Sequence, residues 1–584
     1  MRNEVRLNYV IISLLLIAMN ASTHADFHVA INGDDKNPGT QSAPFATIQH
    51  AQTTVRQQIT DRLNSDLTVW IHQGNYELEA PLHFTPQDSG TREHSIAYVG
   101  VPNESVTLSG GEEVSNWTRI GNNQWVTTLA EVANGTWTFR QLFADGKRLP
   151  RGRYPNAPEI LRVKSVSEDV KTIAITTPDP IPDLANQNAE LVMYQNWSIS
   201  RVGIVSSTEY SVLVANPMGW IGHGPATTAS PGKPTYLEHA LAFVDVPGEW
   251  YLDYKTGLLT YQAAPDEDPN ARTFIAPRSE QLIIIEGTKN SPVRNLHFKN
   301  VTFSHTSWHR PQFGYLGIQA GHHGTAVPEP THVLPAAIEF TYARDCSIRS
   351  CKILHTGAGG IVLGVGCRQN TIGACELTDI GANAVMVGWR TKGSVTGEVR
   401  GEDFHLSGDW TDPEDAPTEN EIIGNTIERP GAINHGCVAV FDAFARATRI
   451  AHNVIHDTPY TGISVGFRWN ESETSQRDTT IEYNHVYDTM KMLTDGGCLY
   501  TLGYQPGTII RGNTFHDAHR SEFAHGGAPN NGIFFDQSSK GFHVEGNTIY
   551  NTSGNPIRFN QTKPDNMTWK DNAFGTGIAY KDKP

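Results

Sequence analysis

The chain has 584 residues, 38% of them hydrophobic and 18% charged, with a net charge of -16. That length allows two to four domains, and that balance excludes a disordered or membrane-embedded protein. The acidic surplus lacks the basic footprint a phosphate backbone needs, so nucleic acid is excluded as a partner, whereas a small basic cleft for an anionic substrate is not.

At the N-terminus, Arg2 and Arg6 precede the apolar run Val10 to Met19, and small residues follow up to Ala25. The run is too short to span a bilayer, so residues 1–25 read as a signal peptide. Export to the periplasm or the outside is expected, with no membrane span after cleavage. Residues 26–115 read as a cap and the first coils of a solenoid. Ile48, Ala51, Val55 and Ile59 keep helical spacing, which predicts a short amphipathic helix able to cover an open solenoid end. Strand-like runs follow at Leu67-Thr-Val-Trp-Ile and Ser95-Ile-Ala-Tyr-Val.

Residues 116–285 lose any coil period and alternate as antiparallel strands do. Two hairpins are predicted, one turning at Asp145-Gly146 and one around Lys255-Thr-Gly257. This segment is expected to be an inserted β-sandwich region.

Residues 286–584 carry a repeat. Its seed is a small polar residue, any residue, then an apolar one, at Cys351, Cys375, Asn425, Asn453, Asn484, Asn513 and Asn547. Most gaps are about 24–34 residues, a solenoid period, and the longer gap from Cys375 to Asn425 holds an insertion. Gly-aliphatic strand runs exclude helical repeats. The fold class predicted is all-β, a right-handed parallel β-helix. Stacked Asn side chains can form a hydrogen-bonded ladder at a coil corner, and Asn tolerates a left-handed turn there. Cys351 and Cys375 hold the same seed position, so a disulfide and an unbridged pair are both compatible with the spacing.

Chemistry concentrates in three coils: Gly462-Ile-Ser-Val-Gly-Phe-Arg-Trp, Leu493-Thr-Asp-Gly-Gly-Cys-Leu-Tyr and Gly532-Ile-Phe-Phe-Asp-Gln. Asp495 and Asp536 lie in or beside strand runs, where Asp is disfavoured, and rule-breaking residues mark functional candidates. Their bland alternatives are a turn at Asp495-Gly-Gly and a local turn bond at Asp536.

The motifs Asn37-Pro-Gly-Thr with Pro44-Phe-Ala-Thr-Ile, Leu142-Phe-Ala-Asp-Gly-Lys-Arg-Leu-Pro-Arg-Gly-Arg-Tyr-Pro-Asn, Gly248-Glu-Trp-Tyr-Leu-Asp, Asp495-Gly-Gly-Cys-Leu-Tyr-Thr-Leu-Gly and Phe535-Asp-Gln-Ser-Ser stand out. In these the chain resembles glycoside hydrolase family 141, a group of β-helix enzymes active on fucosides and xylan. The first three motifs read as scaffold features. By that resemblance Asp495 and Asp536 are the catalytic carboxylates.

One geometric difficulty follows. If Gly497 and Gly532 stack, six residues of strand separate the two Asp positions, about 20 Å. A pair then needs Asp495 to bulge over the strand, a register slip, or another acid. Asp442 is the first reserve, followed by Glu522 and Asp517. Asp442, Arg468, Trp469, Tyr500, His525, Trp389 and Arg390 are candidate substrate-binding residues, because sugars are held by flat aromatic faces and bidentate polar groups. Tyr504 is a further candidate. Trp308-His309 and His322-His323 lie in a Gly-rich excursion that could wall a cleft, with His322-His323 read as a polar loop. The acidic stretch Asp409 to Asp415 reads as a solvated loop in preference to a calcium site. No metal and no cofactor is expected. The leading reading is a secreted glycosidase acting on an oligo- or polysaccharide. A polysaccharide lyase and a noncatalytic carbohydrate-binding solenoid share the fold and compete with it.

Overall fold

The computed structural model describes residues 26–324, 332–388, 412–575 and 579–581. Residues 1–25, where a signal peptide is expected, and Trp389 and Arg390 lie outside the described residues. No helix among the described residues is long and apolar enough to cross a membrane.

The fold is a parallel β-helix with three long sheets. The first and third contain twelve strands each and the second contains ten. Each complete coil visits all three. One coil, for example, runs through Thr480–Glu482, His485–Val486 and Gly497–Thr501. Apolar side chains alternate inward and stack from coil to coil. Ile422, Ile450, Ile481 and Ile510 line the first sheet, and Ile427, Ile455, Val486 and Phe515 the third, all fully buried. No coil can bury this face alone, so the stack is the core.

The asparagine ladder is continuous. Each Asn side chain from Asn425 through Asn453, Asn484, Asn513 and Asn547 donates to the oxygen of the next, ending on Asn572. Each also donates to a main-chain carbonyl, as Asn484 does to Ile450 O at 2.9 Å. Cys375 extends the ladder with its backbone N–H, which donates to Asn425 Oδ1. The left-handed residue at this corner is not the Asn but the one before it: Gly424, His452, Tyr483, Gly512, Gly546 and Asp571 all have positive φ. That turn aims the following Asn side chain into the corner. All six cysteines are free and buried, so Cys351 and Cys375 stack unbridged.

The helix Ile48–Arg62 covers one end, with Thr47 accepting the His50 N–H as its N-cap. Ile48, Ala51 and Val55 are buried against the first coils. At the other end Ala579–Lys581 pairs antiparallel with Asn572–Phe574.

The chain leaves the β-helix after Val106–Ser109 and resumes it at Ile283–Glu286, which pairs with Leu82–Phe84. The insertion thus begins a few residues earlier than position 116 and ends a few before 285. It supplies seven strands of a nine-stranded antiparallel sheet and two further antiparallel sheets of four strands each. Both predicted hairpins form, Phe143–Ala144 with Lys147–Arg148 and Trp250–Leu252 with Leu258–Gln262.

A second excursion joins the same body. Tyr315–Gln319 adds to the nine-stranded sheet by pairing with Ser200 and Arg201, and His322–Gly324 follows it. His322 and His323 are therefore not a polar loop. Both are fully buried, His322 stacks on Phe467 with centroids 4.3 Å apart, and burial pushes each imidazole down to about 3.

Candidate active site

The outer face of the second sheet carries the site. Tyr500 and Phe534 are register partners, as are Phe534 and Arg558, and the Arg558 guanidinium lies 4.0 Å from the Phe534 ring. One step along the outward face stand Asp536 and Asn560, since Phe535 pairs with Phe559. Tyr500 Oη donates to Asp536 Oδ2 at 2.6 Å, and Asn560 Nδ2 donates to Oδ1 at 2.7 Å. Both carboxyl oxygens are thereby fixed.

The register does not help Asp495: Gly497 pairs with Asn531 and not with Gly532, a shift of one residue that lengthens the offset between the two Asp positions. Instead Asp495 takes a left-handed backbone conformation, φ 65°, just before the strand begins. Tyr460 Oη donates to its carbonyl at 3.2 Å. Its carboxylate reaches Arg558 Nη1 at 2.6 Å, two coils along and in register with Tyr500 through Phe534. Asp495 is thus folded over the sheet.

Asp495 and Asp536 line one pocket of about 150 Å³ with Trp197, Gln319, Tyr460, Trp469, Tyr500, Gln537 and Asn560. The two carboxylates have different surroundings. Burial raises Asp536 above its ordinary value against the Tyr500 and Asn560 bonds, and the nearby Asp495 charge adds to the rise. Asp495 faces a guanidinium.

Of the residues singled out in the sequence, Asp495, Asp536, Trp469 and Tyr500 meet in this pocket. Asp442 does not. It points into the β-helix interior, where Thr448, Gln476 and Thr479 donate to it, and burial raises it to about 6. Arg468 does not line the pocket and donates to Asn470 at 3.1 Å. His525 packs over Gly232 of the insertion. Glu522 is exposed, and Asp517 bonds His516 on the third sheet.

Five pocket residues were missed: Trp197, Gln319, Tyr460, Gln537 and Asn560. Trp197 and Gln319 come from the insertion and the second excursion, joined by a 2.6 Å bond from Trp197 Nε1 to Ile318 O. Gln319 lies beside the hydroxyls of Tyr460 and Tyr500. Among the described residues no cluster of His, Cys, Asp and Glu is arranged to hold a metal ion.

Residues 122–264 match the GH141 insertion domain, and residues 336–549 match a right-handed β-helix region. The GH141 match thus covers the insertion, and the β-helix match is to the fold in general. A solved structure titled glycoside hydrolase superposes on this chain with a TM-score of 0.84 and 24% identity, covering 95% of this chain and 97% of the other. A second, a complex of XylC with xylose, gives 0.50 and 15%, covering 95% and 73%. These likenesses show that the fold is shared. A comparison with curated protein sequences found no match.

Proposed function

We propose that the chain is an exported glycoside hydrolase that cleaves a glycosidic bond in a complex polysaccharide of fucoside or xylan type, with Asp536 as acid and Asp495 as the second carboxylate. The observation that carries this reading is the opposed environment of two carboxylates in one pocket. Glycoside hydrolysis needs one carboxyl group that holds its proton and another that is charged, and unlike surroundings are how such a pair divides the roles.

Asp536 gives its proton to the glycosidic oxygen as the bond to the anomeric carbon breaks. Asp495 attacks that carbon or takes a proton from the attacking water. Tyr500 and Asn560 hold the Asp536 carboxyl plane, and Trp197 and Trp469 offer faces for sugar rings. The bound xylose in one fold neighbour accords with the xylan arm.

A panel of fucose-containing, xylan and sulfated polysaccharides tests the reading, using the natural chain, Asp495→Asn and Asp536→Asn. New reducing ends are expected from the natural chain, with a loss of about 10²–10⁴-fold in each variant, the usual size of general acid–base contributions. An ultraviolet-absorbing unsaturated product would assign a lyase. Binding without turnover would assign a noncatalytic module.

A further inference from the structure

A second cavity lies in the seam between insertion and β-helix. Its volume is about 220 Å³, and it is lined by Arg140, Arg148, Arg151, Arg153, Arg201 and Glu238. Three of these arginines come from the Leu142-to-Asn156 motif, whose conspicuous feature is Arg-Leu-Pro-Arg-Gly-Arg. Part of the charge is matched. Arg201 and Arg151 pair with Glu238, Arg140 with Glu190, and Arg148 with Asp379 at 3.1 Å.

The match is incomplete. Five guanidinium groups meet three carboxylates, and Arg310 and Arg429 lean on Glu190 and Asp379 as well. The side chains of Arg151 and Arg201 are only 8% and 3% exposed. Arg148 Nη1 and Arg151 Nη2 have no hydrogen-bond partner. Uncompensated buried charge is costly, and ion-pair staples that only join two bodies do not require a surplus.

The remaining lining is suited to a sugar. Arg153 lies 4.0 Å over the Tyr236 ring, and Ile433 adds apolar surface. His435 bonds Gly431 O through Nδ1 at 2.9 Å, and burial pushes it down to about 4, so Nε2 is an acceptor fit for a hydroxyl. A dry cavity of roughly 150 Å³ takes up benzene, so this space accommodates one ring.

We propose that this cavity binds a carboxylate or sulfate group carried on a sugar. The hairpin Glu190–Thr208 connects it to the candidate active site: Arg201 lines the cavity and Trp197, four residues away, lines the other pocket. Trp197 sits in the turn of the hairpin and Arg201 on its second strand, so the chain between them spans at most about 13 Å, a distance an oligosaccharide bridges. The role as a distal subsite rests on the hydrolase reading, whereas the anion site itself does not.

Calorimetry on the turnover-blocked Asp536→Asn chain tests it with a uronate-containing disaccharide, its carboxyl-reduced twin and a sulfated disaccharide. At least one charged disaccharide is expected to bind ten times more tightly than the neutral twin. The same measurement is made after adding Arg151→Lys or Arg153→Gln, and each is expected to remove most of that preference. Arg153 decides if the Arg151 variant misfolds, because its guanidinium bonds only the carbonyls of Pro155 and Glu159. Equal binding of charged and neutral sugars overturns the proposal, as does a preference that Arg153→Gln leaves intact. Charge-selective binding by a chain with no hydrolytic activity would refute the hydrolase and keep the anion site.

Discussion

The corner between the first and third sheets and the outer face of the second are made by the same coils, yet they use polar side chains in opposite ways. At the corner one contact is copied five times, each Asn from Asn425 to Asn547 bonding the next. On the outer face nothing is copied. Successive coils present Tyr500, Phe534 and Arg558, and one step along, Asp536 and Asn560. Copying satisfies every buried amide and gives the solenoid a spine. Interruption leaves carboxyl groups in unequal surroundings, which is the condition for acid and base to coexist.

The widest gap between the two regions is expected in activity. Replacing Asp536 by Asn should cut turnover about 10²–10⁴-fold while leaving the unfolding transition nearly unchanged. Asn484→Ala should do the reverse. It strips partners from Asn453, Asn513 and Ile450, and unmet buried groups cost about 1–3 kcal/mol each. Urea unfolding should show a loss of several kcal/mol, with turnover per folded molecule preserved. Equal damage to activity by both variants would erase the contrast.

Smaller effects sharpen it. Trp469→Ala should raise KM about tenfold with little change in kcat, because it removes a face for the sugar and leaves the carboxylates in place. Tyr500→Phe removes a donor that stabilises ionised Asp536, so the Asp536 carboxyl should rise further. The alkaline limb of the activity profile should then move to higher pH.

The smallest expected effect belongs to Asp442. Its carboxyl is raised by burial to about 6 in the fold from an ordinary 3.8, so its contribution to stability is full below the ordinary value and is lost as pH rises through about 6. Asp442→Asn should therefore flatten the decline in melting temperature between about pH 4 and pH 6, an effect of about 1–2 °C in a chain this large.

The spine was legible because repetition is a local signal: the Asn-x-apolar seed recurs within each coil. Only the turn was misplaced, since the left-handed residue precedes the Asn. Asp495 and Asp536 were legible as residues that break strand rules, and the family resemblance named them. How they meet was not legible. It depends on Arg558, two coils further on, and on a left-handed Asp495, neither of which spacing reveals. Trp197 and Gln319 were harder still, because an inserted hairpin and a second excursion bring them to coils hundreds of residues later. Asp442 misled for the opposite reason. It ends a strand run as an active-site residue would, but its parity turns it inward.

The division of labour between the two carboxylates is tested most directly by leaving-group dependence in the Asp536→Asn variant. Turnover would be compared on aryl glycosides whose leaving groups need a proton and on those that do not. A severe loss is expected on poor leaving groups and near-natural bond cleavage on good ones, because only the first kind requires the Asp536 proton. Equal loss across all leaving groups would contradict it.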